Sequence, residues 1–318
     1  MESLKPPRIR KGDLIGIVSP ASPVADVSRI ESGVRYLEGL GYHVMVGKHV
    51  TKTLGYLAGT DEERVEDLHA MFRNKGVRAI ICVRGGYGTP RLLPLLNYRL
   101  IAHNPKILAG YSDITALQLA LWKKCRLITF HAPMLGVEMA NTIDPWTEEM
   151  FWSLATSSKK IGSISLPIPT DPTPRPLHRG KGEGRLLGGN LSMVASILAT
   201  PYQPDFTDSV VFLEDVTEEP YRVDRMMMQL RNASILSASS AIMTGQFTDC
   251  TPLDKSKPSL TVDEILQESA AATGRPFLSN LPFGHIPKKM TLPIGLRVRV
   301  NAGQCTIEYL ESACSSTL

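Results

Sequence analysis

The chain is 318 residues long, 43% hydrophobic and 21% charged, with a net charge of +4. That is enough sequence for two domains of ordinary size and enough apolar content for a substantial core. The positive charge is not gathered into Lys/Arg runs, which disfavours a nucleic-acid or membrane-surface role and mildly favours an anionic small substrate. No apolar run approaches the length of a membrane span. The start, Met1 to Lys11, has no apolar core for a signal peptide. Cys82, Cys125, Cys250, Cys305 and Cys314 are scattered without a Cys-x-x-Cys pair. They read as reduced thiols of a cytoplasmic protein, not as a disulfide frame or a zinc site.

Asp13 to Val18 reads as a buried parallel strand. Ser22 followed by Pro23 predicts a helix start, with the helix running to about Leu40 and stopping at Gly41. His43 to Val46 is the next strand. Thr60 and Glu63 form a capping box for a helix through Leu68, Met71 and Phe72. Val77 to Val83 predicts a buried strand ending in Arg84-Gly-Gly-Tyr-Gly-Thr89. A helix from about Pro90 leads to the apolar run Ile107 to Ala109, then Gly110-Tyr-Ser-Asp113. Ile114, Leu117, Leu121 and Trp122 follow, spaced for one helix face. Leu127 to Phe130 is another strand, ending in His131. Such alternation predicts an α/β domain whose parallel sheet is covered on both faces, with ligands beyond the carboxyl ends of its strands. Ser19, Arg84 to Gly88 and Ser112 all fall at that edge.

From about Ser157 to Gly184 the chain changes character. Pro167, Pro169, Pro172, Pro174 and Pro176 break any long element, and the segment reads as an extended linker. A second alternating region follows: a strand at Gly184 to Leu187, a helix capped by Asn190, and the strand Ser209 to Leu213 leading into Glu214-Asp215. A helix spans Val223 to Leu230, whose Met226, Met227 and Met228 read as core filling. Ala241 to Thr244 is a strand, and Thr261 with Glu264 is a second capping box, for a helix ending at Gly274. Leu296 to Val300 and Cys305 to Tyr309 form a hairpin across Asn301-Ala-Gly303.

A serine between strand and helix has its hydroxyl pushed out of the turn beside the first helical N–H groups, the geometry of a nucleophile elbow. The competing reading of Ser112 and Asp113 is that they only cap the helix. A serine nucleophile needs a base within hydrogen-bond reach and an acid to orient that base. Of the histidines, His43 opens a strand, His69 lies within a helix, His103 precedes Asn-Pro and His178 falls in the linker. His131 ends a strand at the right sheet edge, and His285 follows Gly284, which permits a close backbone approach. Glu214 and Asp215 lie at a buried strand terminus, and successive strand residues face opposite ways, so both are not expected to reach one imidazole. Arg84-Gly-Gly-Tyr-Gly88 is either a phosphate nest or an oxyanion turn; it lacks Gly-x-Gly-x-x-Gly and the P-loop Lys-Ser/Thr. No dense ligand set appears, so neither metal nor cofactor is expected.

Six motifs occur in order: Arg84-Gly-Gly-Tyr-Gly88, Gly110-Tyr-Ser-Asp-Ile-Thr115, Leu187-Gly-Gly-Asn-Leu191, Phe212-Leu-Glu-Asp215, Glu219-Pro-Tyr-Arg-Val-Asp-Arg225 and Pro282-Phe-Gly-His285. Together they resemble the L,D-carboxypeptidase family of serine peptidases, which includes the microcin-immunity amidases, over nearly the whole chain. The resemblance implies a flavodoxin-like parallel-sheet N-terminal domain joined to a smaller β-rich C-terminal domain, with the active site between them. Divided at the proline-rich segment, residues 1–160 are the nucleophile domain, 161–183 the linker and 184–318 the domain carrying Glu and His. The resemblance further implies Ser112 as nucleophile, Glu214 as acid and His285 as base. It implies an oxyanion hole of backbone N–H groups at Gly86 and Asp113, with Gly85 competing for the first place.

The expected function is a cytoplasmic, homodimeric serine L,D-carboxypeptidase releasing the terminal D-alanine of muropeptide tetrapeptides in peptidoglycan recycling. A planar guanidinium pairs both oxygens of a terminal carboxylate, so Arg84 is the first expectation for that contact and Arg222 the second. One rival is a related amidase of aminoacyl-nucleotide antibiotics of the microcin C type, although the short spacing from Ser192 to Glu214 leaves little room for an extra substrate loop. An α/β-hydrolase esterase would need the second glycine of Gly-x-Ser-x-Gly, which Ser112 lacks. A two-domain ligand-binding protein is the non-enzymatic rival.

Overall fold

The computed structural model describes residues 2–166 and 172–316. Five parallel strands begin the first sheet: β1 (Leu14–Val18), β2 (His43–Val46), β3 (Val77–Cys82), β4 (Ile107–Gly110) and β5 (Thr129–His131). Their order, β5-β4-β3-β1-β2, is the flavodoxin-like doubly wound arrangement. Its helices are α1 (Ser28–Gly39), α2 (Asp61–Arg73), α3 (Thr89–Leu92), α4 (Tyr98–His103), α5 (Ile114–Cys125) and α6 (Pro145–Ala155). The central strands are mostly apolar because both faces are covered, Arg78 near the start of β3 excepted; Ile80, Ile81, Ile107 and Leu108 are wholly buried. Each such side chain contributes roughly 1.5–3 kcal/mol by leaving water.

The Thr60–Glu63 capping box is present with both of its hydrogen bonds. The start of α1 differs from expectation. Ser22 does not cap it: its hydroxyl donates to Tyr56 O at 2.7 Å and accepts from the Tyr87 N–H at 3.0 Å. Two distant backbone partners outcompete the local cap. The helix starts instead at Ser28, after Asp26, whose carboxylate accepts from the Ser28 N–H and hydroxyl.

The second half supplies β6 (Gly162–Ser163), β7 (Arg175–His178), β8 (Lys181–Asn190), β9 (Val210–Val216), β10 (Ala241–Thr248) and β11 (Phe277–Ser279). Between and after them come α7 (Leu191–Ser196), α8 (Pro220–Asn232), α9 (Ile235–Ala238) and α10 (Val262–Thr273), then β12 (Leu292–Ile294), β13 (Arg297–Asn301) and β14 (Thr306–Tyr309). The second sheet runs β6-β14-β13-β8-β9-β10-β11-β7, parallel from β8 to β11 and antiparallel elsewhere. Asn190 caps α7 through the Met193 N–H, and the Thr261–Glu264 box opens α10. Of the methionine run only Met227 is wholly buried, with Met226 packed partly against the core.

Two features depart from the sequence reading. The described parts of the proline-rich segment are not a bare linker: they provide both edge strands of the second sheet, β6 against β14 and β7 against β11. Proline lacks the ladder N–H, and an edge is where that lack is tolerated; Pro176 lies in β7. Pro167 and Pro169 lie outside the described residues. The second departure is β12, which crosses back and pairs antiparallel with β5, making the first sheet six-stranded. Leu292 thereby sits opposite His131. Among the described residues no helix is long and apolar enough to cross a membrane, and all five cysteines are free.

Candidate active site

Ser112 occupies the turn from β4 to α5 with φ +64°. A left-handed conformation at a non-glycine residue costs about 1–2 kcal/mol and persists only where the surroundings impose it. Neither Ser112 nor Asp113 caps α5 through its side chain, so the capping reading does not hold. Asp113 is buried and turned to another task. Its carboxylate accepts from the Thr89 N–H at 2.8 Å, and its backbone carbonyl accepts from the Thr89 hydroxyl. Burial pushes the Asp113 carboxyl up, and the Thr89 bonds oppose that. The serine turn is thus tied to the end of the glycine turn, residues 84–88.

Arg64 braces the same glycine turn from the opposite side, donating to Pro20 O at 2.7 Å and Gly88 O at 3.1 Å. A Cβ at Gly85 would lie 2.8 Å from Ser112 Cβ and 3.0 Å from its Oγ, so this backbone approaches the serine as only glycine can. Gly86 has φ +115°. Its N–H and that of Asp113 have no protein acceptor among the described residues.

Glu214 lies near the end of β9, opposite Asn190 of β8. His285 comes from the turn beyond β11, and its Nδ1–H donates to Glu214 Oε2 at 2.8 Å. The Glu214 side chain is fully buried and that of His285 is 19% exposed. A carboxylate can only accept, so it holds the proton on Nδ1 and leaves the Nε2 lone pair free. A Cβ on Gly284, whose φ is +112°, would stand 3.0 Å from Glu214 Oε2. Gly284→Ala is therefore expected to displace the imidazole, lowering kcat at least about tenfold and the melting temperature by roughly 2–4 °C. Kinetics and thermal melts of the variant check this, and wild-type values for both would show that the turn relaxes freely.

Asp215 faces the other way. It accepts from Asn190 Nδ2 at 2.8 Å, the Ser192 N–H at 2.9 Å and the Ser192 hydroxyl at 2.7 Å. Burial raises its carboxyl and the Ser192 bond lowers it. The Asn190 N–H donates to Thr115 Oγ1 at 3.1 Å, and a Cβ at Gly189 would lie 2.4 Å from that oxygen. The first turn of α5 is thereby seated on the end of β8, which brings Ser112 from one sheet to Glu214 of the other.

Ser112 and His285 line one cavity of about 330 Å³ together with Gly85, Gly86, Arg84 and Arg29. A second lobe of about 680 Å³ shares Tyr111, Val137 and His285 with it. The Tyr111 ring meets His285 edge-on with centroids 5.0 Å apart. Its hydroxyl donates to Glu138 Oε1 at 2.9 Å, and the Lys289 ammonium, 4.1 Å from the ring centroid, bonds the same carboxylate. Burial first, then Glu138, raises the Tyr111 phenol well above its ordinary value. Sequence reasoning missed Arg29, Glu138 and Lys289, which stand in none of the motifs. Of the two expected carboxylate-binding arginines, Arg84 lines the smaller lobe. Arg222 does not reach either lobe: it lies on α8, 3.7 Å from Glu218, with its side chain 55% exposed. No cluster of His, Cys, Asp and Glu able to hold a metal occurs among the described residues.

His131 is buried behind the site, packed against the rings of Tyr111, Phe212 and Phe283. Burial, reinforced by Lys289 and His285, pushes its pKa down to about 3. It stays neutral and lines neither lobe, so it is not the competing base. Below pH 6.5 the unfolded chain gains a proton here that the folded chain refuses. Stability therefore falls as pH drops from about 6.5 towards 3, by on the order of 4 kcal/mol from this group. His131→Phe is expected to flatten the acid limb of melting temperature against pH between 4 and 7; a curve parallel to wild type would assign that limb to other groups.

Residues 15–132 match the LD-carboxypeptidase N-terminal domain, and residues 183–300 match the LD-carboxypeptidase C-terminal domain, both of peptidase S66. The probable murein peptide carboxypeptidase of Bacillus subtilis is 37% identical over 303 residues, spanning 95% of this chain and 93% of that one. The crystal structure of muramoyltetrapeptide carboxypeptidase from Oxalobacter formigenes, 31% identical, superposes with a TM-score of 0.80 over 93% of this chain and 97% of that chain. The wild-type apo microcin C7 self-immunity protein MccF, 28% identical, gives a TM-score of 0.89 over 98% and 100%. The strained serine, the glycine turn beside it and the Glu–His pair thus sit within both halves of a single known architecture, and the chain belongs to the LD-carboxypeptidase family, peptidase S66.

Proposed function

We propose that the protein is a serine L,D-carboxypeptidase of peptidoglycan recycling, cytoplasmic and homodimeric, which releases the terminal D-alanine of muropeptide tetrapeptides. The observation that carries this reading is the 2.8 Å His285–Glu214 bond in a cavity shared with a left-handed serine. Ser112 Oγ attacks the carbonyl between the L-centre of the diamino acid and D-alanine. His285 Nε2 takes the hydroxyl proton and returns it to the amine as the C–N bond breaks. Glu214 stabilises the imidazolium that forms in between. The free N–H groups of Gly86 and Asp113 meet the developing oxyanion, Gly85 being the alternative to Gly86. Water, deprotonated by the same imidazole, then cleaves the acyl-enzyme and restores Ser112.

In this reading residues 1–160 supply the nucleophile and 184–318 the acid and base, with 161–183 between them. The smaller lobe receives the leaving alanine beside Arg84, and the larger one the acyl part of the peptide. Support for a muropeptide comes from the relatives named as murein peptide and muramoyltetrapeptide carboxypeptidases, which are more similar in sequence than MccF. Mass spectrometry of a defined muropeptide panel tests it. Release of one D-alanine from the tetrapeptide is expected, with and without EDTA. Cleavage of an aminoacyl nucleotide without any D-alanine release would assign the amidase activity instead. Loss of activity with EDTA and recovery with zinc would overturn the serine mechanism.

A further inference from the structure

We propose that Arg29 is the second arm of a two-arginine clamp, holding the carboxylate of the leaving alanine jointly with Arg84. The inference rests on the carboxypeptidase reading and adds to it a specificity-determining residue that no motif marks. Arg29 stands in the first turn of α1 and reaches across to the loop after β5. There Nε donates to Gly136 O at 2.7 Å and Nη2 to Val137 O at 3.3 Å. Arg84 donates through Nη1 to Pro23 O at 3.3 Å. Main-chain carbonyls therefore fix both forks in place, and the acid that acts on the Arg29 charge, Asp26, does so from beyond ion-pair distance.

Several arginines on the outer surface are paired with acids. Arg91, Arg222, Arg231 and Arg299 each lie within 4.0 Å of a carboxylate, whereas no carboxylate approaches Arg29 or Arg84 that closely among the described residues. Of the two acids nearest in sequence, Glu31 pairs with Arg35, and Asp26 accepts from the Ser28 N–H and hydroxyl. Two half-buried guanidinium groups thus line the same 330 Å³ lobe, neither in an ion pair with a carboxylate among the described residues. A carboxylate entering that lobe can offer one oxygen to each fork. Ser112 stands in the same lobe, so an anion bound there belongs to the residue whose amide is attacked. That residue must be the last of its chain. The clamp makes the enzyme an exopeptidase.

The test compares a tetrapeptide ending in free D-alanine with the same peptide ending in D-alanine amide, using wild type, Arg29→Gln and Arg29→Lys. Arg29→Gln is expected to raise KM for the free acid about tenfold to a hundredfold, the range for losing a hydrogen bond to a charged group, with kcat changed less than about threefold. The preference for free acid over amide should shrink by the same factor, and Arg29→Lys should recover part of it. Because Arg29 also braces residues 136–137, a purely structural role is the alternative. It would lower kcat on both peptides equally and depress the melting temperature, leaving the acid-to-amide preference intact, and that result would overturn the clamp. An unchanged KM in Arg29→Gln would overturn it too. Wild type that releases no D-alanine from any tetrapeptide would sink the carboxypeptidase reading and the clamp with it, whereas an active wild type with an insensitive Arg29→Gln sinks the clamp alone.

Discussion

Ser112→Ala is expected to lose about 10⁴–10⁶-fold in kcat for D-alanine release while folding normally. The hydroxyl is the only group removed, and the Thr89 bonds to the Asp113 carboxylate and carbonyl, which hold the turn, do not involve it. His285→Ala should fall into the same range, because without the imidazole the hydroxyl proton has no acceptor. Alanine at φ +64° is as strained as serine, so Ser112→Ala should melt close to wild type. Ser112→Gly releases that strain and should melt higher, by up to about 1 kcal/mol in stability, while equally inactive. Turnover by either variant within tenfold of wild type would remove Ser112 from the chemistry.

Glu214→Gln is expected to cost roughly 10²–10⁴ in kcat with little change in KM. The amide can present its NH₂ to Nδ1, which favours the tautomer with the proton on Nε2, where the base must be free. Its charge is also lost from behind the imidazolium. Asp215→Asn should behave in the opposite sense. It weakens the bonds from Asn190 and Ser192, which costs about 1–3 kcal/mol of stability, and touches kcat only through the seating of α5 on β8. Paired kinetics and melts decide between the two acids, and a reversed ranking would exchange their roles.

Much of this was legible in the residues. Strands with both faces covered are predominantly apolar, so β1, β3 (despite Arg78) and β4 stood out, and the two Thr–Glu capping boxes fixed α2 and α10. The positions Ser112, Glu214, His285 and the glycine turn followed from strand ends and from family motifs. What escaped notice was held by long-range contacts. Ser22 looks like a helix cap until Tyr56 and Tyr87 are seen to occupy its hydroxyl. β12 is three residues with a proline in the middle, and only its pairing with β5 makes it a strand. Arg29 sits among other charged residues of an amphipathic helix, and nothing local distinguishes it from a solvated side chain. Arg222 carried a motif, yet it lies in a surface pair with Glu218.

The crossing of β12 has a consequence for how the chain is made. Synthesis runs from the N-terminus, so β1 to β5 and their helices emerge first and can assemble early. Until residues 292–294 leave the ribosome, β5 ends that sheet as a bare edge with unpaired N–H and C=O groups, carrying the buried Thr129, Phe130 and His131. Such an edge is a template for pairing with another nascent chain. The half that carries Ser112 is therefore exposed to self-association until that segment is made, and a protein truncated at the proline-rich segment would keep the bare edge. Residues 292–294 seal the first sheet from far along the sequence, so its last edge closes only after the second sheet's parallel strands have been made.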